Sequence, residues 1–282
     1  VLSEDKTGAR QEVCCAPVFY RRRDMEFYPG FDISPQQEPF GFCYGKGVFG
    51  PEAEIRRLDD IRASLEDPGC AGPEAVYSIS MDVGMEEDRE EIEKRNLLYG
   101  AVTYAAGTLG REPVRSQGHI HAVSISCGSS TPEVYEIWDG RAIIYMQESG
   151  EDDPGACYAI YAGPGDVVIV PPYWVHATVN GGANRPMTFG AWCVRDYGFE
   201  YGQVRAHGGI AYFPYVEDGG ICWRENPAYR CHGLTERGPR EYTEFGVRRG
   251  VPVYAQFREQ RDRFDFVTRP QDYQHLWEGF RP

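Results

Sequence analysis

Positive charge is scarce in this sequence. Lys and Arg number 29 against 43 Asp and Glu, a net −14 at pH 7 over 282 residues. A sequence-independent nucleic-acid binder needs a basic face, as does a protein that docks on an anionic membrane, so neither nucleic acid nor membrane is an expected partner. A small anionic substrate stays open, because one bound cation can dominate the field of a cleft. Long apolar runs are missing too, and none approaches bilayer-spanning length. The opening stretch, VLSEDKTGARQE, has no apolar signal-peptide core and is too acidic for a transit peptide, so a cytoplasmic location is expected. The nine cysteines form no CxxC pair, and the adjacent Cys14 and Cys15 cannot easily serve one metal together. Reduced thiols follow as the expectation. No internal repeat is visible.

What the sequence does hold is enough apolar content, 41% beside 26% charged residues, for a soluble globular protein with a real core. Residues 1–50, rich in Pro, Gly and aromatics, read as an extended arm with short strands, wrapping the core or a partner subunit. In GPEAEIRRLDDIRASLEDPG the apolar positions Ile55, Leu58, Ile61 and Leu65 recur at helical spacing, and Pro-Gly ends the run. AVYSISM is a β-type run, and MEEDREEIEKRN a charged, solvated helix or loop. From about 97 to 216 short β-branched and aromatic runs alternate with Gly, Pro, Asn and Asp turns, the signature of a sandwich or small barrel. The expected domains are an N-terminal arm and flanking elements over 1–96, an all-β barrel core over 97–216, and a C-terminal extension over 217–282.

Residues 115–123, RSQGHIHAV, place His119 and His121 on one face of a strand, since i and i+2 point the same way. If that face is a barrel interior, two imidazoles converge there. Glu133 opens the next strand, EVYEIWDG, which Gly140 closes. Glu136 has the opposite parity, so it faces out if Glu133 faces in. Tyr135 shares the face of Glu133, and its phenol could bond a substrate hydroxyl. Much later GDVVIVPPYWVHATVNGG makes a turn at Gly165–Asp166, runs through Pro171–Pro172 and reaches His176, with Asn180 four residues on. Asp166, Trp174 and Asn180 read as turn and packing residues, and His207, His232 and His275 as surface or structural ones.

The pattern GHIH…EVYEIWDG…PPYWVHATVN resembles the two motifs of the cupin superfamily, and more narrowly the cupin-type (archaeal-type) glucose-6-phosphate isomerases. RRLDDI, AVYSISM and LLYGAVTYAAGTLG fit that family's order, so the likeness spans roughly residues 55–230. It implies a cupin fold, a jelly-roll or double-stranded β-helix barrel. Inside it one divalent metal per subunit would be held by His119, His121, Glu133 and His176. Fe(II) leads, with Mn(II), Ni(II) and Zn(II) open, since this ligand type does not choose among them.

The resemblance also implies interconversion of glucose 6-phosphate and fructose 6-phosphate, a step of glycolysis and gluconeogenesis, in a homodimer. Glu133, Tyr135 and Tyr201 are the candidate catalytic residues, with hydrogen moving between C1 and C2 as a proton or as a hydride. Tyr77, Thr103, Arg115, Ser116 and Gly118 are the candidates for the sugar and its phosphate. Thr103 enters because Val102 stands where the family carries a threonine. Arg115 enters because by parity it shares the face of His119 unless Gly118 marks a bulge. Cys193 and Phe199 fall in CVRDYGF, which lacks a tyrosine and a histidine that the resemblance leads one to expect. The same ligands could serve another sugar isomerase, a dioxygenase, or a non-catalytic sugar-binding or storage protein.

Overall fold

A computed structural model describes residues 25–282. The first 24 residues of the expected arm, with Cys14 and Cys15, lie outside them. The architecture is mostly β with short helices, built on two sheets facing each other. In chain order their strands are β1 (Glu54–Arg57), β2 (Ala75–Met81), β3 (Leu97–Tyr104), β4 (Glu133–Asp139), β5 (Ala142–Gln147), β6 (Cys157–Ala162), β7 (Val167–Val170), β8 (Val175–Asn180), β9 (Met187–Val194) and β10 (Leu234–Arg237). One sheet runs β7-β4-β9-β3-β2-β1, the other β8-β5-β6-β10. Every neighbour is antiparallel except β6 with β10. The chain crosses from one sheet to the other between β4 and β5, β6 and β7, β7 and β8, β8 and β9, and β9 and β10, which is jelly-roll winding.

Side-chain alternation gives the sheets two faces each. Between them lies one core, with Tyr77, Tyr104, Tyr135, Ile137 and Phe189 meeting Ile144, Met146 and Ile160. The outer face of the six-stranded sheet is just as dry. There Leu97, Tyr99, Trp138 and Trp192 pack beneath Phe31, Ile33 and Phe42 of the arm and beneath Tyr254, Phe257, Phe264 and Phe266 of the tail. Burial of this kind contributes about 25 cal/mol per Å² of apolar surface, so the described part of the arm and the tail are both integral to the fold. Of the expected arm, Met25, Phe31, Ile33 and Phe42 pack on this outer face. The tail, expected to be an appendage, is half of a second core.

Three boundaries differ from expectation. The sheet expected to start at 97 already contains β1 and β2, and β10 extends the facing sheet past 216. The helix expected across Ile55–Leu65 is mostly not one: Ile55 lies on β1, and only Leu58–Ile61 is α-helical, followed by a 3-10 turn over Arg62–Ser64. Leu58, Ile61 and Leu65 are buried in the interior core all the same, so the apolar spacing reported burial rather than one continuous helix. The charged stretch after it is helical over Arg89–Lys94. The seven described cysteines are all free. Among the described residues no helix is long and apolar enough to cross a membrane.

Candidate metal centre

His119 and His176 form an antiparallel bridge in which each backbone N–H meets the other's carbonyl, at 3.0 and 2.9 Å. His121 follows on a two-stranded ribbon, Ile120–His121 with Phe199–Glu200. Gly118, just before, holds φ = +87°, and a Cβ there would lie 2.6 Å from Ile210. Only glycine takes that turn without strain, and it swings the chain so that both histidines enter the interior.

One ligand atom each from His119, His121, Glu133 and His176 lies within 4.8 Å of all the others. Glu133 Oε2 is 3.3 Å from His121 Nε2 and 3.4 Å from His176 Nε2. All three imidazoles leave Nε2 buried and without a hydrogen-bond partner, a costly state unless something binds there. The far ring nitrogens are occupied in two of them: His121 Nδ1 lies 2.9 Å from the Thr131 carbonyl and His176 Nδ1 3.2 Å from that of Trp174. Such contacts fix the tautomer with Nε2 turned inward. Phe199 covers the pair, its ring 4.6 Å from His119 and 5.6 Å from His121. Three imidazoles and one carboxylate fit a divalent transition metal.

The charge states agree with a ligand set. Burial pushes the His119 and His176 imidazoles down, and the neighbouring histidines add to it. Burial works to raise the Glu133 carboxyl, but the facing His121 and His176 outweigh it and hold it well below the usual carboxylate range. The Tyr135 hydroxyl donates to Glu133 Oε2 at 2.7 Å. Burial and then the Glu133 charge raise that phenol well above its ordinary value, so it stays a donor.

Of the other residues singled out, Tyr77, Ser116 and Tyr201 are brought to the same interior. Tyr77 stacks on Tyr104 at 4.9 Å, and Tyr201 lies 5.9 Å from His119. Ser116 Oγ accepts from the Thr178 N–H at 3.0 Å. Two are not brought there. Thr103 follows the parity of Tyr99 and Ala101 to the outer face, where its hydroxyl meets that of Thr188 at 3.0 Å. Val102 takes the interior position. Arg115 is 0% exposed and each nitrogen of its guanidinium has a partner: Nε donates to Glu112 at 2.5 Å, Nη1 to the Ser116 carbonyl and Nη2 to the Ser64 carbonyl. The bulge at Gly118 breaks the parity that would have put Arg115 beside His119. Cys193 does face inward near Glu133, with burial raising its thiol well above the ordinary range. Sequence reasoning missed Tyr104 and Thr178, which join Tyr77, Ser116 and Tyr135 in a hydroxyl-lined wall. Cross-strand alternation from Tyr77 and His176 was the available signal.

A two-sheet barrel with three histidines and a glutamate converging inside it defines a cupin-type protein with a candidate metal centre. The chain belongs to the glucose-6-phosphate isomerase family: a family model described as "Glucose-6-phosphate isomerase (GPI)" matches residues 59–231. It is 31% identical to a glucose-6-phosphate isomerase of Pyrococcus furiosus over 198 residues, and 27% identical to one of Thermococcus litoralis over 203. Each match covers 69% of this chain and 98% of the relative. A vicilin from Corylus avellana overlaps 56% of this chain and 35% of its own, at a TM-score of 0.35 and 12% identity, a likeness too loose to bear on function.

Proposed function

We infer that the chain is a metal-dependent aldose–ketose isomerase that interconverts glucose 6-phosphate and fructose 6-phosphate at the His119, His121, Glu133 and His176 centre. The observation that carries this is the convergence of three unpartnered Nε2 atoms on Glu133, in a chain of this family. A divalent metal bound there supplies Lewis acidity toward the oxygens on C1 and C2 of the open-chain sugar. The protein's own part is to hold and orient. Tyr135 keeps Glu133 Oε2 fixed through its hydroxyl. Tyr77 and Tyr201, both raised by burial, stay protonated and offer hydrogen bonds to sugar hydroxyls. Phe199 closes one side of the histidine pair against water.

Fe(II) is the metal proposed, and cytoplasm the location. A homodimer is proposed as well, with Val123 and Ile125 beside the centre, 55% and 95% exposed, as apolar surface a second copy would cover. The test is conversion of fructose 6-phosphate by chelator-stripped protein, with Fe(II), Mn(II), Ni(II) or Zn(II) added back one at a time. Metal-restored turnover without oxygen consumption, absent in His119→Ala, is expected. Tight metal binding without turnover would contradict the isomerase and keep the metal centre.

A further inference from the structure

The phosphate of the substrate has no cationic partner among the residues described so far. Thr103 is on the wrong face, Val102 is apolar and Arg115 is closed off. The wall around Tyr77 nevertheless carries a guanidinium, that of Arg56. Arg56 of β1 is directly opposite Tyr77 of β2. Directly opposed residues of antiparallel strands point to the same face, and Tyr77 faces the interior core. The Arg56 side chain keeps 24% exposure, so its head is at the mouth and not sealed in the core.

Tyr201 links this arginine to the metal centre. Its ring is 5.9 Å from that of His119, and Arg56 acts on both the Tyr201 and the Tyr77 phenols, opposing the rise that burial imposes. A second guanidinium, that of Arg205, lies over the Tyr201 ring at 4.9 Å and is tied to Gln117 Oε1 at 3.0 Å. In a chain of net −14, this sets two positive charges beside one tyrosine near the histidines, with the Glu54 carboxylate opposing them. Arg56 has an ion-pair partner, Glu54, but that carboxylate is 60% exposed. Exposed pairs are weakly held, and a phosphate dianion matches a guanidinium in two parallel hydrogen bonds. Arg56 also lies ahead of the residues matched by the family model.

We propose that Arg56 receives the phosphate of the sugar substrate and sets the preference of this chain for phosphorylated sugars. This rests on the isomerase reading. An open-chain hexose phosphate lying along the wall would place C1 and C2 at the histidines, its hydroxyls against Tyr77 and Tyr201, and its far end at the arginine.

The test compares the metal-loaded wild type with Arg56→Gln, Arg56→Lys and Glu54→Gln. It measures kcat and KM for fructose 6-phosphate, and binding of inorganic phosphate by calorimetry. Arg56→Gln is expected to raise KM and the phosphate dissociation constant together, roughly tenfold to a hundredfold. Arg56→Lys should recover part of the loss, because the charge remains without the fork. Glu54→Gln should lower KM, because it frees the guanidinium. A merely structural ion pair would instead make Arg56→Gln and Glu54→Gln behave alike, with kcat or melting temperature moving and phosphate binding unchanged. That pattern overturns the proposal. Wild type that binds phosphate but does not turn over fructose 6-phosphate would overturn the isomerase reading alone. The Arg56 assignment would then stand or fall on whether Arg56→Gln loses phosphate binding.

Discussion

Strand β4 carries two glutamates three residues apart, on opposite faces of one sheet. Glu133 faces the interior, where His121 and His176 stand 3.3 and 3.4 Å from it and keep it ionised. Glu136 faces the outer core beneath the tail. It is 0% exposed and accepts from the Val253 N–H at 2.7 Å and from Trp138 Nε1 at 3.1 Å, yet burial still raises its carboxyl to about 8. The two facing imidazoles outweigh burial at Glu133, whereas the donors around Glu136 do not offset its burial. One residue type therefore does two jobs, chosen by strand parity: a charged ligand inside, a neutral bridge between sheet and tail outside.

The sharpest way to break that comparison is to remove each charge in turn. Glu133→Gln should lower kcat/KM about a thousandfold, the several kcal/mol that a metal contributes to the barrier. Glu136→Gln should leave turnover per folded, metal-loaded molecule close to wild type. Steady-state kinetics with metal analysis of the same samples decides, and equal losses would end the distinction. Next in size is the outer core itself. Trp192 is fully buried against Tyr99, Tyr254, Phe257 and Phe264, so Trp192→Ala should cost about 3–5 kcal/mol in denaturant unfolding. The tail is then a stabilising element and not an appendage; a loss below about 1 kcal/mol would contradict this.

The inner face was readable in the sequence and the outer one was not. Strand alternation is a local rule, so His119 with His121, and Glu133 against Glu136, followed from spacing once motifs set the register. The outer core is made by residues far apart in the chain, such as Phe31, Tyr99 and Phe264, whose aromatic tail has no period to reveal it. The same limit explains the misplacements. A positive φ at Gly118 shifts the parity that would set Arg115 beside His119, and Thr103 has the hydroxyl while its neighbour Val102 has the inward parity. Arg56 went unnoticed because its pairing with Tyr77 is a cross-strand fact, and because the spacing of Ile55, Leu58, Ile61 and Leu65 suggested a helix there.

Smaller effects sharpen the contrast. With an unfolded carboxyl near 4.3 and a folded value of about 8 for Glu136, the native state holds a proton that the unfolded chain has released. Its stabilising share is complete below about pH 4 and falls as pH rises through that window to about 8. Between pH 6 and 8.5 the wild type should lose on the order of 2 kcal/mol more stability than Glu136→Gln, measured by denaturation at both values. Parallel pH profiles would mean that Glu136 is charged in the fold. On the inner face Tyr135→Phe removes the 2.7 Å bond to Glu133 and should lower metal affinity or turnover about tenfold, with little change in melting temperature.

The most direct measurement for the whole account is a titration of stripped protein with Fe(II), following bound metal and isomerisation of fructose 6-phosphate in the same cuvette. Activity should rise linearly and stop at one metal per chain, with His176→Ala showing neither tight binding nor turnover. Turnover that ignores the metal, or that survives in His176→Ala, would contradict a catalytic centre built from these four residues.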